Sequence, residues 1–123
     1  MFITGVHHVS IEVADFERSQ DFYERVLGLA PLDERPDFPF RGAWYLLGDT
    51  QLHLMEGPVT ASERMSRVRH TAISVNDLGK FRKHLESHDV PCRDTIAIPG
   101  IARFFFMDPD GNHFEATDAV IKT

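Results

Sequence analysis

Two stretches of the chain alternate apolar and polar residues and then run into helical patterns. In Val6–Val13, the side chains of His7, Val9, Ile11 and Val13 point one way, and those of Val6, His8, Ser10 and Glu12 the other. Asp15 stands where a helix N-cap belongs, and Phe16, Ser19, Phe22, Tyr23, Val26 and Leu27 recur at helical spacing up to a stop at Gly28. From His70, Thr71, Ile73 and Val75 share one face, and His70, Ala72 and Ser74 the other. Asp77 is the matching cap, and Leu78, Phe81 and Leu85 form the apolar stripe of a helix ending near Ser87.

The two stretches are copies. Setting His8 on His70 places Ile11 on Ile73, Val13 on Val75 and Asp15 on Asp77, an offset of 62 residues. The same offset lays QLHLM (51–55) on HFEAT (113–117), with His53 on Glu115. Each late strand follows another strand and a turn: AWYLL with Gly48-Asp49, and RFFFM with Asp108-Pro109-Asp110-Gly111-Asn112. Segments 30–35 and 91–98 can each supply a further strand. The predicted fold class is α+β: two tandem βαβββ modules in one domain over residues 1–123. Module one spans about 4–56, a linker about 57–68 and module two about 69–118.

The helix-facing set is apolar: Val9, Ile11, Val13, Leu52, Leu54, Ile73, Val75, Phe114 and Ala116. The opposite face carries His8, His53, His70 and Glu115 at positions related by the repeat. A merely solvated face would not reserve matched positions for imidazole and carboxylate. Three imidazoles and a carboxylate brought together at the centre of a curved sheet call for a cation, and a divalent metal is the simple answer. Zn, Ni, Co, Mn and Fe all accept such donors. By parity, His7 is expected to be a buried structural residue. His84 and His88 are expected on the surface, and His113 as pocket wall rather than ligand. The Asp108–Asn112 run lacks the later ligands of a calcium loop and reads as a turn.

Composition narrows the classes. The 123 residues carry 13 Lys and Arg against 19 Asp and Glu, a formal charge of −6, which argues against nucleic-acid binding. No apolar run approaches the ~20 residues of a membrane span. MFITGVHH does not read as a signal peptide, so the expected compartment is the cytoplasm. A single cysteine, Cys92, leaves neither an internal disulfide nor a cysteine-based zinc knuckle, and nothing near it in sequence would activate it as a nucleophile.

HHVSIEVADFERSQDFYERVLGL, GDTQLHLM, HTAISVNDL and FFFMDPDGNHFEAT together resemble the vicinal oxygen chelate superfamily, which includes glyoxalase I, extradiol dioxygenases and bleomycin-resistance proteins. The resemblance covers nearly the whole chain. It implies paired βαβββ units in a half-open barrel around one divalent metal, and a homodimer. Its metal positions fall on His8, His70 and Glu115, with His53 as the further ligand of four-ligand members. Four protein ligands leave an octahedral ion two positions for a small oxygenated substrate. That suits a glyoxalase-like lyase or isomerase in which Glu115 is also catalytic, as the proton carrier. If His53 does not ligate, the His8, His70 and Glu115 triad suits an extradiol-type iron dioxygenase. A small-molecule binding or antibiotic-resistance protein without turnover is the third expectation. Ser10, Glu12, Trp44, Tyr45, Arg103 and Phe105 are the expected substrate-binding residues, with Arg41 a further cation to weigh. Glu12 stands where glutathione-using relatives tend to carry an arginine, which speaks against an anionic glutathione adduct.

Overall fold

The computed structural model describes residues 2–58 and 69–121. The expected linker therefore lies, for residues 59–68, outside the described residues. The chain divides into two compact units, Met1–Thr60 and Ala61–Thr123. Among the described residues, each holds one α-helix and one three-stranded sheet.

In unit one, β1 (His8–Val13) leads into α1 (Phe16–Asp21), and β2 (Gly42–Leu47) and β3 (Thr50–Glu56) follow. The sheet order is β1-β3-β2, with β1 parallel and β2 antiparallel to the central β3. The Asp15 carboxylate accepts from Arg18 N at 3.1 Å, and Glu56 Oε2 accepts from Phe16 N at 2.9 Å. These bonds satisfy first-turn donors that a helix leaves open. The helix is not regular to its end: Phe22–Val26 form a π-helical turn, with Leu27 N bonded to Phe22 O at 2.9 Å. Phe22 and Tyr23 are adjacent in sequence and both are buried, as is Val26. The wider turn accommodates this doubled apolar pair, which the 3.6-residue repeat would splay. Gly28 closes the segment at φ 76, where a side chain would be strained.

Unit two repeats the plan. It contains β4 (His70–Ser74), α2 (Leu78–Ser87), β5 (Arg103–Met107) and β6 (His113–Thr117), with sheet order β4-β6-β5. Asp77 caps α2 by accepting from Lys80 N at 3.0 Å. The helix ends on Asp89 in the left-handed region at φ 61, the counterpart of Gly28. The strand register repeats as well: Ser10 pairs with His53, and Ala72 with Glu115.

The expected strands at 30–35 and 91–98 contract to isolated bridges. Pro31 bridges Tyr45, Arg93 bridges Phe105, and Ile98 bridges Ile101. Pro31 has no N–H to extend a ladder, and in that segment Leu32 N alone reaches across, donating to Trp44 O at 2.7 Å. Each module thus shows three full strands and a bridged segment in place of a fourth.

Each core lies where sheet meets helix. In unit one it contains Ile11, Val13, Phe16, Tyr23, Tyr45, Leu52 and Leu54; in unit two, Leu85, Val90, Phe104, Phe106, Phe114 and Ala116. Phe81 of α2 packs on Phe104 and Phe106, with ring centroids 6.1 and 5.8 Å apart. The β5–β6 turn is tied by Asp108, which is buried. Its Oδ1 accepts from Asp110 N at 2.9 Å and Asn112 N at 2.8 Å, and its Oδ2 from Asn112 Nδ2 at 2.7 Å. That carboxylate is occupied by the turn itself, as a non-calcium reading requires. No helix among the described residues is long and apolar enough to cross a membrane.

His7 departs from expectation. It precedes β1, which begins at His8, and it is exposed rather than buried. Alternation extrapolated beyond the strand end carries no information on burial, because the ladder that enforces it has stopped.

Candidate functional site

In unit one, β1 and β3 carry His8 and His53 on the face away from the helix. Their rings stack with centroids 4.2 Å apart and planes 12° from parallel. Trp44 is the direct cross-strand partner of His53 on β2 and covers its other face at 4.1 Å and 5°. His53 is thus clamped between two aromatic planes. Its Nε2 lies 2.9 Å from Gln51 Oε1, and His8 Nδ1 lies 2.9 Å from His7 Nδ1. Burial lowers the pKa of His53 below the ordinary histidine range, and repulsion from His8 and His7 adds to the shift. The neutral ring this favours is the form that can donate a lone pair to a metal. With Nδ1 of His8 engaged by His7, its Nε2 is the nitrogen left to act as a donor.

In unit two, β4 and β6 carry His70 and Glu115 in the equivalent places. His70 Nε2 stands 3.1 Å from Glu115 Oε1. Phe105 is the cross-strand partner of Glu115, as Trp44 is of His53, and meets His70 edge-on at 5.2 Å. Arg103 Nη1 reaches Glu115 Oε2 at 3.5 Å, and Nη2 donates to Ile96 O at 2.8 Å. The guanidinium lies 5.8 Å from the Phe105 ring centre.

Each unit therefore brings together two donors of the kind a divalent ion takes: imidazole with imidazole, and imidazole with carboxylate. Among the described residues, no group of three or more His, Cys, Asp and Glu side chains assembles into a metal-binding cluster. The donor chemistry of each pair fits a borderline divalent ion.

The other expected residues fall into distinct places. Ser10 is exposed on the face of His8, and Glu12 continues that face beside Gly57. Tyr45 does not belong to this face: it is fully buried on the helix side, stacked on Tyr23 at 6.1 Å, and its hydroxyl donates to Glu24 Oε2 at 2.9 Å. Strict alternation along β2 puts Trp44 and Tyr45 on opposite faces, so only one of the two could share the face of His53. Arg41 is engaged by Glu17 at 2.6 Å. His113 is buried, and His84 is exposed. Gln51, two residues before His53 on one strand, shares its face as the alternation predicts. One neighbour went unnoticed in the sequence. Phe38, stacked on Phe40 and 6.3 Å from Trp44, sits in a loop where no periodicity points to it.

The sequence model of the Glyoxalase/Bleomycin resistance protein/Dioxygenase superfamily matches residues 5–116. The uncharacterized protein YaeR of Escherichia coli is 37% identical over 117 residues, 86% of this chain and 89% of YaeR. Among solved structures, the fosfomycin resistance protein FosX of Listeria monocytogenes superposes with a TM-score of 0.82 at 15% identity, covering 98% of this chain and 95% of FosX; that structure is of a variant complexed with Mn(II) and 1S,2S-dihydroxypropylphosphonic acid. TnmS3, an antibiotic binding protein from a Streptomyces species, superposes with a TM-score of 0.75 at 23% identity, covering 95% of this chain and 97% of its own. A repeated three-stranded module with paired donors on its open face, and a family match over nearly the full length, lead to one conclusion: this chain belongs to the Glyoxalase/Bleomycin resistance protein/Dioxygenase superfamily.

Proposed function

We propose that this protein is a metal-dependent lyase or isomerase of the glyoxalase type, acting on a small oxygenated substrate. His8, His53, His70 and Glu115 are its ligands to one divalent ion. The observation that carries the reading is the duplicated pairing of a first-strand histidine with a central-strand donor: His8 with His53, and His70 with Glu115. When bound, the metal supplies Lewis-acid stabilisation of negative charge on substrate oxygens.

The chain's own residues supply the rest. Glu115 carries the proton between substrate carbons, and its side chain is only 14% exposed, which limits competition from bulk water. Ser10, Glu12, Trp44 and Phe105 line the substrate's approach. His53 favours this reading over a three-ligand dioxygenase. Held between Trp44 and His8, its ring has no room to swing aside without breaking both stacks.

The test is metal content and turnover together. The purified protein should bind close to one equivalent of Mn²⁺, Ni²⁺ or Zn²⁺, sediment as a homodimer, and convert hemithioacetals of α-ketoaldehydes. His8→Ala and Glu115→Gln should each lower turnover by about 100-fold or more, as loss of a ligand or a general acid–base group does. Oxygen uptake with catechols under Fe²⁺ would move the assignment to a dioxygenase. A protein with no metal affinity that still binds apolar antibiotics would move it to sequestration.

A further inference from the structure

We infer that Arg103 is a positioning residue that holds Glu115 as a one-oxygen ligand, an inference that rests on the metal-site reading above. The two oxygens of Glu115 have different neighbours. Oε1 faces His70 Nε2 at 3.1 Å, and Oε2 faces Arg103 Nη1 at 3.5 Å. Arg103 is itself fixed at other points. Its Nη2 donates to the Ile96 carbonyl at 2.8 Å, its guanidinium lies against Phe105, and its side chain is only 17% exposed. Its buried Nε has no hydrogen-bond partner among the described residues. A guanidinium held in this way is not a free surface charge. It presents one fixed edge to one carboxylate oxygen.

The sister module shows why the cation is there. Arg103 pairs with Thr117 in the β5–β6 ladder, and the equivalent place opposite Met55 in the β2–β3 ladder is Gly42. A Cβ on Gly42 would strike the Leu54 carbonyl oxygen, so that place admits no side chain. The donor beside Gly42 is His53, a neutral imidazole that needs no counter-charge. The donor beside Arg103 is Glu115, an anion with a second oxygen to control. The cation accompanies the carboxylate alone. With Oε2 turned to Arg103, Oε1 lies on the side of His70, the neighbouring candidate ligand, and would be the oxygen offered to the metal. Ligating carboxylates are commonly oriented by outer hydrogen bonds in this manner.

The experiment uses the full-length protein loaded with Mn²⁺ and reads metal affinity and the water-proton relaxation of the bound ion, which counts exchangeable waters. Arg103→Met and Arg103→Gln should weaken Mn²⁺ binding by about 10-fold or more. They should also lower the relaxivity per bound ion by about half, as the freed oxygen replaces one of two waters. Arg103→Lys, which restores a cation but not the fork, should recover most of both. Arg103→Gln keeps a donor for the Ile96 carbonyl, so it remains informative if Arg103→Met does not fold. Folded variants with wild-type affinity and relaxivity overturn the assignment to Arg103. Loss in Arg103→Lys equal to that in Arg103→Met overturns it as well, because the role would then lie in the loop contact. A wild-type protein that binds no Mn²⁺, Ni²⁺ or Zn²⁺ overturns the metal-site reading itself.

Discussion

Trp44 lies flat on His53, with ring centroids 4.1 Å apart and planes 5° from parallel, while the opposite face of His53 stacks on His8. Trp44 is the chain's single tryptophan, so its emission reports on this site alone. Emission should change on addition of Zn²⁺ or Mn²⁺ and stop responding in His53→Ala. Trp44→Leu should lower stability by about 1 kcal/mol, the worth of one aromatic stack beyond its buried area, and weaken metal binding. Titration calorimetry against denaturant melts separates the two effects. Unchanged metal affinity in a folded Trp44→Leu protein would show that the stack does not orient His53.

Tyr45 donates to Glu24 from a fully buried position, and burial, with Glu24 beside it, raises its pKa well above the ordinary tyrosine value. The folded state therefore holds the proton more tightly than the unfolded chain does. The contribution is fully present below the unfolded pKa of about 10 and is lost as pH rises beyond it, because only the unfolded chain then releases the proton readily. Tyr45→Phe should cost about 1.5 kcal/mol at neutral pH. The gap to wild type should narrow on the alkaline side. Urea melts from pH 7 to 11 measure it, and a gap that widens with pH contradicts the assignment.

Asp108 accepts three hydrogen bonds within its own turn. Asp108→Ala leaves Asp110 N, Asn112 N and Asn112 Nδ2 without that acceptor and should cost about 3 kcal/mol. The turn also sets the β5–β6 register, and a slip of one residue would send Glu115 to the helix face. Amide exchange in β5 and β6 should therefore rise more than in β1–β3. Equal loss of protection in both sheets would count against a local role.

Gly42 admits no side chain, because the Leu54 carbonyl oxygen occupies the place of its Cβ and Arg35 Nη2 lies 3.1 Å away. Gly42→Ala should destabilise by about 2 kcal/mol, a typical overpacking cost when the obstacle is backbone. Thermal denaturation tests this, and a neutral Gly42→Ala would mean that β2 can shift on β3 without penalty.

The repeat, the helix caps at Asp15 and Asp77, the strand faces and the four candidate donors were all legible in the residues. Each is a local matter: period-two alternation sets a face, a carboxylate before an apolar run sets a cap, and an equal offset at both ends of a duplicated unit sets equivalence. Alternation also bears on Tyr45, since residues 44 and 45 of one strand cannot share a face, although it does not say which of the two faces the core. His7 escaped because the strand begins one residue later than the pattern suggests. The bridged segments at Pro31 and Arg93 escaped because pairing depends on a partner far along the chain.

From the chain alone came the family, the two-module plan and the choice of candidate donors, since spacing and side-chain chemistry are written residue by residue. Only tertiary structure decided that His53 is clamped between Trp44 and His8, that Tyr45 belongs to the core, and that Arg103 rather than solvent meets the second oxygen of Glu115. Those outcomes depend on cross-strand register and on loop carbonyls such as that of Ile96, whose partners lie too far along the chain for local patterns to reveal.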